Sequence, residues 1–285
     1  MRGADIFLTK AAAVRILMRE EYHNMKFFGN VTNGAKLMKS VHVFNKRIKD
    51  IEAAKARGDY EEERRIIAEA TGIWVNNVIK LLDMHINIKG RENIPEGPCV
   101  FFSNHQGYAD IPTFFKACEG KQIGFIAKDS LAKAPYFGKW IRNIRGVFIT
   151  RGDTRESLKS FRTGVDYLKD GFSLVIFPEG TRSQGGPMRE FKAGSFKLAT
   201  KAKVPVVPVT INGSYHLVEE TGIITKGVHI DIVIHPAIPT AGMERSEMAK
   251  LHETVEATVR TTLEELQKHD DQPNLRPDKR AGSSK

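Results

Sequence analysis

His105 and Asp110 stand five residues apart in Ser103-Asn104-His105-Gln106-Gly107-Tyr108-Ala109-Asp110, directly after the apolar run Cys99-Val100-Phe101-Phe102. An imidazole held by a carboxylate is a general base. The carboxylate fixes the tautomer and stabilises the imidazolium, while the other ring nitrogen takes a proton from a hydroxyl. Residues at this spacing do not share a helix face, which needs three or four residues. A pairing therefore calls for a turn through Gly107 that folds the Asp110 carboxylate back onto the ring. The same spacing also fits a plain turn with a capping aspartate, and the pair alone does not choose between them.

Three further junctions of the same form follow. Leu174-Val175-Ile176-Phe177-Pro178-Glu179-Gly180-Thr181-Arg182-Ser183 is an apolar strand running into a polar turn. Pro178 stops the strand, and Gly180 lets backbone approach a ligand closely. Arg182 offers a planar fork of donors suited to phosphate, and Thr181 and Ser183 add hydroxyls. Gly146-Val147-Phe148-Ile149-Thr150-Arg151 places another arginine at a strand end, and Ile123-Gly124-Phe125-Ile126-Ala127-Lys128 a lysine. In an open α/β sheet, ligands bind at the carboxyl ends of the strands. A His-Asp pair and three cations at such ends describe a site for a phosphorylated alcohol. Taken singly, Arg151 also reads as a solvated cation, Lys128 as a turn ion pair with Asp129, and Glu179 as a cap on the following turn.

At these residues the chain resembles the glycerolipid acyltransferase family, most of all its bacterial 1-acyl-glycerol-3-phosphate acyltransferases. Asn104 to Asp110 matches the family's Asn-His-x-x-x-x-Asp, and Phe177 to Ser183 its Phe-Pro-Glu-Gly-Thr-Arg-Ser. Val204 to Val209 matches its Val-Pro-Val-x-Pro-Val strand. Gly146 to Arg151 follows the Gly-x-x-Phe-x-x-Arg pattern only approximately, because the phenylalanine is residue 148. Lys128, ahead of Leu131 and Pro135-Tyr136-Phe137-Gly138, resembles the lysine before the family's Pro-x-Phe-Gly segment. The resemblance covers residues 86 to 240. It implies that His105 is the general base and Asp110 its orienting partner. It assigns Glu179, Gly180 and Arg151 to the glycerol-phosphate site, with Lys128, Thr181 and Arg182 as further substrate-binding residues. The implied reaction is direct attack of a glycerol hydroxyl on an acyl thioester. The donor is acyl-coenzyme A or acyl-carrier protein, the acceptor a lysophospholipid, and no bound cofactor or metal is needed.

The elements that must position these residues alternate. Strands are expected near 86–89, 99–103, 123–127, 146–150, 173–177, 205–211 and 229–234, and helices near 109–117, 135–143, 153–169, 189–201 and 244–268. This pattern predicts an α/β fold with a mostly parallel central sheet covered by helices. An N-terminal amphipathic helical region (1–85) precedes the acyltransferase domain (86–268), and a disordered tail (269–285) follows. Apolar stripes run through Phe7, Ala11, Val14, Met18, Tyr22 and Met25, through Leu37, Val41, Phe44, Ile48 and Ile51, and through Ile67, Ala70, Trp74, Val78 and Leu81. Residues 1–50 hold ten Lys or Arg against four Asp or Glu, which fits an anchor on an anionic membrane surface as well as packing on protein.

The whole chain of 285 residues carries a formal charge of +10. That balance suits lipid headgroups or an acidic carrier protein. Nucleic acid is not expected as a partner, since no helix-turn-helix, ribonucleoprotein or zinc-finger signature occurs. Cys99 and Cys118 form no disulfide framework, and the remaining histidines no metal spacing. With no signal peptide and no run of 18 apolar residues in evidence, the expected location is cytoplasmic, peripheral on the inner face of a bacterial cell membrane. Transfer to glycerol-3-phosphate or another lysolipid is the near alternative. A thioester or lipid hydrolase and a non-catalytic membrane-binding module are alternatives of other classes.

Overall fold

Apolar runs such as Val100-Phe101-Phe102 and Leu174-Val175-Ile176 have no polar face to turn to water, so they belong in a sheet covered on both sides. A computed structural model describes residues 46–133, 137–150 and 154–268 and places these runs at the sheet centre. The strands are β1 (His85–Lys89), β2 (Val100–Ser103), β3 (Ile123–Lys128), β4 (Val147–Ile149), β5 (Ser173–Ile176), β6 (Val206–Asn212) and β7 (His229–Ile234). The helices are α1 (Ile48–Ala56), α2 (Tyr60–Leu82), α3 (Asp110–Ala117), α4 (Phe137–Asn143), α5 (Thr154–Lys169), α6 (Ala193–Ala202) and α7 (Arg245–Lys268). The strands lie in the order β1-β7-β6-β2-β5-β3-β4. All neighbours pair in parallel except β6 with β7, so β1 and β7 run against the other strands. The sheet is mostly parallel, as expected, with a reversed pair at one edge.

Side-chain alternation divides the core into two layers. Phe101, Val175, Val207 and Ile211 point to one face, against Trp74, Val78, Phe114 and Trp140 of α2, α3 and α4. Val100, Phe102, Leu174 and Ile176 point to the other, against Leu168, Phe196, Val255 and Val259 of α5, α6 and α7. Phe102 and Phe196 stack at 3.9 Å, fixing α6 over β2. The third apolar stripe becomes α2, which Asp59 caps by accepting the Glu62 amide, and α1 joins it through a turn at Gly58. Ile48 and Ile51 are buried in the first layer. The stripe at Phe7 to Met25 and the start of the second one lie outside the described residues, as does the tail.

A buried ion pair ties this helical hairpin to the sheet. Arg145 Nε and Nη2 donate to the two Glu63 oxygens at 2.7 and 2.6 Å, and the guanidinium lies 4.4 Å from the Phe172 ring centroid. Among the described residues no helix is long and apolar enough to cross a membrane.

Candidate active site

The sheet order makes neighbours of the two polar turns, since β2 and β5 pair in parallel and both turns leave at the same edge. Backbone bonds then join the turns: the Ser183 amide donates to His105 O at 2.7 Å and the Gln184 amide to Gln106 O at 3.1 Å. On the other side, β6 abuts β2. Asn104 is locked to it twice, donating to Ile211 O at 2.8 Å and accepting the Ile211 amide at 2.9 Å. His105 is therefore carried on a loop clamped from both flanks.

The loop closes on the paired arrangement. His105 Nδ1 meets Asp110 Oδ2 at 2.6 Å. An ionised carboxylate only accepts, so Nδ1 carries the proton and Nε2 keeps a bare lone pair. Among the described residues nothing hydrogen-bonds to Nε2, and the His105 side chain is 19% exposed against 0% for Asp110. Asp110 opens α3, where the helix dipole favours a negative charge. Its Oδ2 also accepts the amides of Gln106 and Gly107 at 2.8 and 3.1 Å. One carboxylate oxygen of Asp110 thus closes the turn and meets the imidazole at once. The Phe177 ring stacks on the imidazole at 4.0 Å and 14°, giving it an apolar floor.

Glu179 is buried, with both oxygens on backbone: Oε1 accepts the His105 amide at 2.7 Å and Oε2 the Arg189 amide at 2.8 Å. Burial pushes its carboxyl up from the usual range, and the two amides pull it partly back. The carboxylate is placed to hold the His105 loop. Gly180 adopts φ 72, a left-handed conformation natural to glycine. With Thr181 it lines an open cleft of about 550 Å³ whose other walls are Glu179, Arg189, Glu190 and Lys192.

Arg182 is brought to the same corner but is already engaged. Its guanidinium lies 3.8 Å over the Tyr108 ring and donates to Glu219 Oε1 at 3.0 Å. Glu219 Oε1 also accepts the Tyr108 amide at 2.9 Å, while Oε2 has no hydrogen-bond partner among the described residues. Burial pushes this carboxyl up to about 7, against the pull of Arg182 and the Tyr108 amide and with the push of the Asp110 charge. A Cβ on Gly107 would lie 2.5 Å from Glu219 Oε2, so any larger residue there has to displace the carboxylate. Lys128 ends β3 and is exposed. Arg151 lies outside the described residues.

Sequence reasoning missed four residues here. Arg189 and Lys192 follow the third motif and line the cleft. Glu219 and Ser214 come from the segment after β6; Ser214 donates to Asp110 Oδ1. The available signal was the position of Ser214, a polar residue directly after the buried β6 strand and Gly213. Among the described residues there is no cluster of three side chains suited to a metal ion.

A family model described as Acyltransferase matches residues 85–212. The "1-acyl-sn-glycerol-3-phosphate acyltransferase" of Pseudomonas aeruginosa is 32% identical over 195 residues, which span 68% of this chain and 74% of that protein. The chloroplastic "1-acyl-sn-glycerol-3-phosphate acyltransferase LPAT1" of Arabidopsis thaliana is 37% identical over 158 residues, 54% of this chain. The match spans only 43% of that plant protein's own length, and 44% of its Brassica napus counterpart. The crystal structure of the 1-acyl-sn-glycerophosphate acyltransferase PlsC from Thermotoga maritima superposes with a TM-score of 0.63 at 28% identity, covering 83% of this chain and 98% of that one. The chain belongs to the acyltransferase family of the 1-acyl-sn-glycerol-3-phosphate acyltransferases.

Proposed function

We propose that the protein moves a fatty acyl group from a thioester donor to the free hydroxyl of 1-acyl-glycerol-3-phosphate, giving phosphatidic acid. The carrying observation is the 2.6 Å His105–Asp110 contact, which leaves Nε2 as the proton acceptor. The acceptor hydroxyl gives its proton to Nε2 as its oxygen attacks the thioester carbonyl. The buried Asp110 carboxylate stabilises the imidazolium that forms. Collapse of the tetrahedral intermediate breaks the C–S bond, and the imidazolium proton goes to the departing sulfur. No acyl-enzyme is needed, so no serine or cysteine nucleophile takes part.

In this reading the acceptor phosphate sits at the strand ends, met by Arg182, Lys128 and Arg151 with the Thr181 hydroxyl and the Gly180 backbone. Such clamping turns an encounter into a positioned attack. Glu179 serves the site by fixing the His105 amide. The names borne by the relatives support the acceptor, and the chain's charge of +10 supports work at an anionic membrane surface. We place the protein peripherally on the inner face of the membrane, with coenzyme A or acyl-carrier protein as the thiol.

The test incubates the full chain with lysophosphatidic acid and a long-chain acyl-coenzyme A, following free thiol and lipid product together. Equimolar thiol and phosphatidic acid is the expected result. Thiol without new lipid would make the protein a hydrolase. Silence with both donors and with glycerol-3-phosphate would refute acyl transfer.

A further inference from the structure

Asp110 is fully buried, and all its donors are accounted for among the described residues. Three of them crowd onto Oδ2: His105 Nδ1 and the Gln106 and Gly107 amides. Oδ1 is served by one group, the Ser214 hydroxyl. An aspartate's terminal torsion is broad, so donors on one oxygen alone do not fix the carboxylate plane. A donor on the second oxygen does. Ser214 is itself fully buried and opens the 3-10 helix Ser214–Leu217 after Gly213, whose φ is 87. Its other neighbour is Gln106 Oε1 at 3.4 Å, and Gln106 Nε2 in turn donates to Asn212 Oδ1 at 3.4 Å. A polar chain thus runs from the end of β6 to the back of the His-Asp pair, with no water-exposed member before His105.

We infer that Ser214 is a positioning residue for the proton transfer: its hydroxyl fixes the plane of the Asp110 carboxylate and, through it, the tautomer and aim of His105. The inference rests on the proposed role of His105 as base. Removing the hydroxyl would strand a buried, charged acceptor oxygen with no solvent to replace the donor. The carboxylate would then tilt to find one, and the imidazole would follow. Among the described residues Ser214 hydrogen-bonds only to Asp110 and Gln106, neither of which is proposed to hold the substrate, so substrate binding should stay as it is.

The test uses Ser214→Ala, Ser214→Cys and Ser214→Ala combined with Asp110→Asn in the full chain. It reads acyl-transfer kinetics and the NMR resonance of the His105 Nδ1 proton in isotope-labelled protein. Ser214→Ala is expected to lose about ten- to hundredfold in kcat, the range of one hydrogen bond to a charged group. KM for both substrates should stay within about twofold, and the Nδ1 proton should shift and exchange faster. Ser214→Cys nearly preserves volume but donates weakly, so it should fall with the alanine variant and serves if that variant does not fold. Added to Asp110→Asn, Ser214→Ala should cost nothing more. Full kcat in either single variant, an unmoved Nδ1 resonance, or an undiminished loss on top of Asp110→Asn would overturn the inference. A wild type without acyl transfer would sink the functional reading instead, while the resonance would still test Ser214.

Discussion

Glu219→Gln sets two effects of one buried carboxylate against each other. The side chain is 3% exposed, donates nothing, and accepts from Arg182 and the Tyr108 amide through a single oxygen. If the ion pair with Arg182 dominates, removing the charge destabilises the fold, as breaking a buried pair usually does. If desolvation dominates, removing the charge helps. The carboxyl, raised from 4.5 to about 7 with burial as the largest cause, points to desolvation. A group whose folded pKa is raised holds a proton that the unfolded chain releases. Its contribution is complete below pH 4.5 and is lost as pH climbs towards 7. The shift corresponds to about 3 kcal/mol. Glutamine mimics the protonated acid at every pH and suffers no such loss. Urea unfolding of both proteins at pH 4.5 and pH 8, at one ionic strength, should give near-equal stabilities in acid. At pH 8 the variant should be about 3 kcal/mol more stable. A difference that does not change with pH, or a variant weaker than wild type at pH 8, would refute the reasoning and award the corner to the ion pair.

Glu63→Gln leaves the Arg145 cation buried without its counter-charge and should cost roughly 3–5 kcal/mol in the same unfolding assay, an outcome a loss under 1 kcal/mol would contradict. Gly107→Ala pushes a methyl into the Glu219 carboxylate on the loop that carries His105. Transfer should drop at least about tenfold while the protein remains folded by circular dichroism. Burial raises the Cys99 thiol to about 11 and that of Cys118 higher still. A thiol reagent should therefore label neither in the native protein at pH 8 and both in denaturant.

The strands were legible in the sequence because central parallel strands are buried on both faces and read as unbroken apolar runs, Val100 to Phe102 and Leu174 to Ile176 among them. Strand direction was not. β1 and β7 alternate in burial like any half-covered strand, and nothing in His229-Ile230-Asp231-Ile232 says that the chain has reversed. Helix α6 starts at Ala193, short of the expected residue 189, because the Arg189 and Phe191 amides are drawn off by the carboxylates of Glu179 and Glu256. Glu256 stands 65 residues from Phe191 and leaves no local trace. The site divides in the same way. His105 and Asp110 share one loop, so spacing and a glycine offered their pairing as one of two readings. Ser214 and Glu219 arrive from the far side of β2, more than a hundred residues downstream of the loop they hold. A side chain recruited by sheet order is invisible to a reading that moves along the chain. The second-motif arginine, Arg151, lies outside the described residues.

The most direct test of the account is the rate of phosphatidic acid formation by His105→Ala, compared with wild type at equal folded concentration. With the imidazole gone, Nε2 and the 2.6 Å contact to Asp110 go with it, and the acceptor hydroxyl has no base. Product formation should be at least about a thousandfold slower in a variant that is less stable but still unfolds in one cooperative transition. Product at the wild-type rate would remove His105 from the chemistry and leave the His-Asp pair a turn with a capping aspartate.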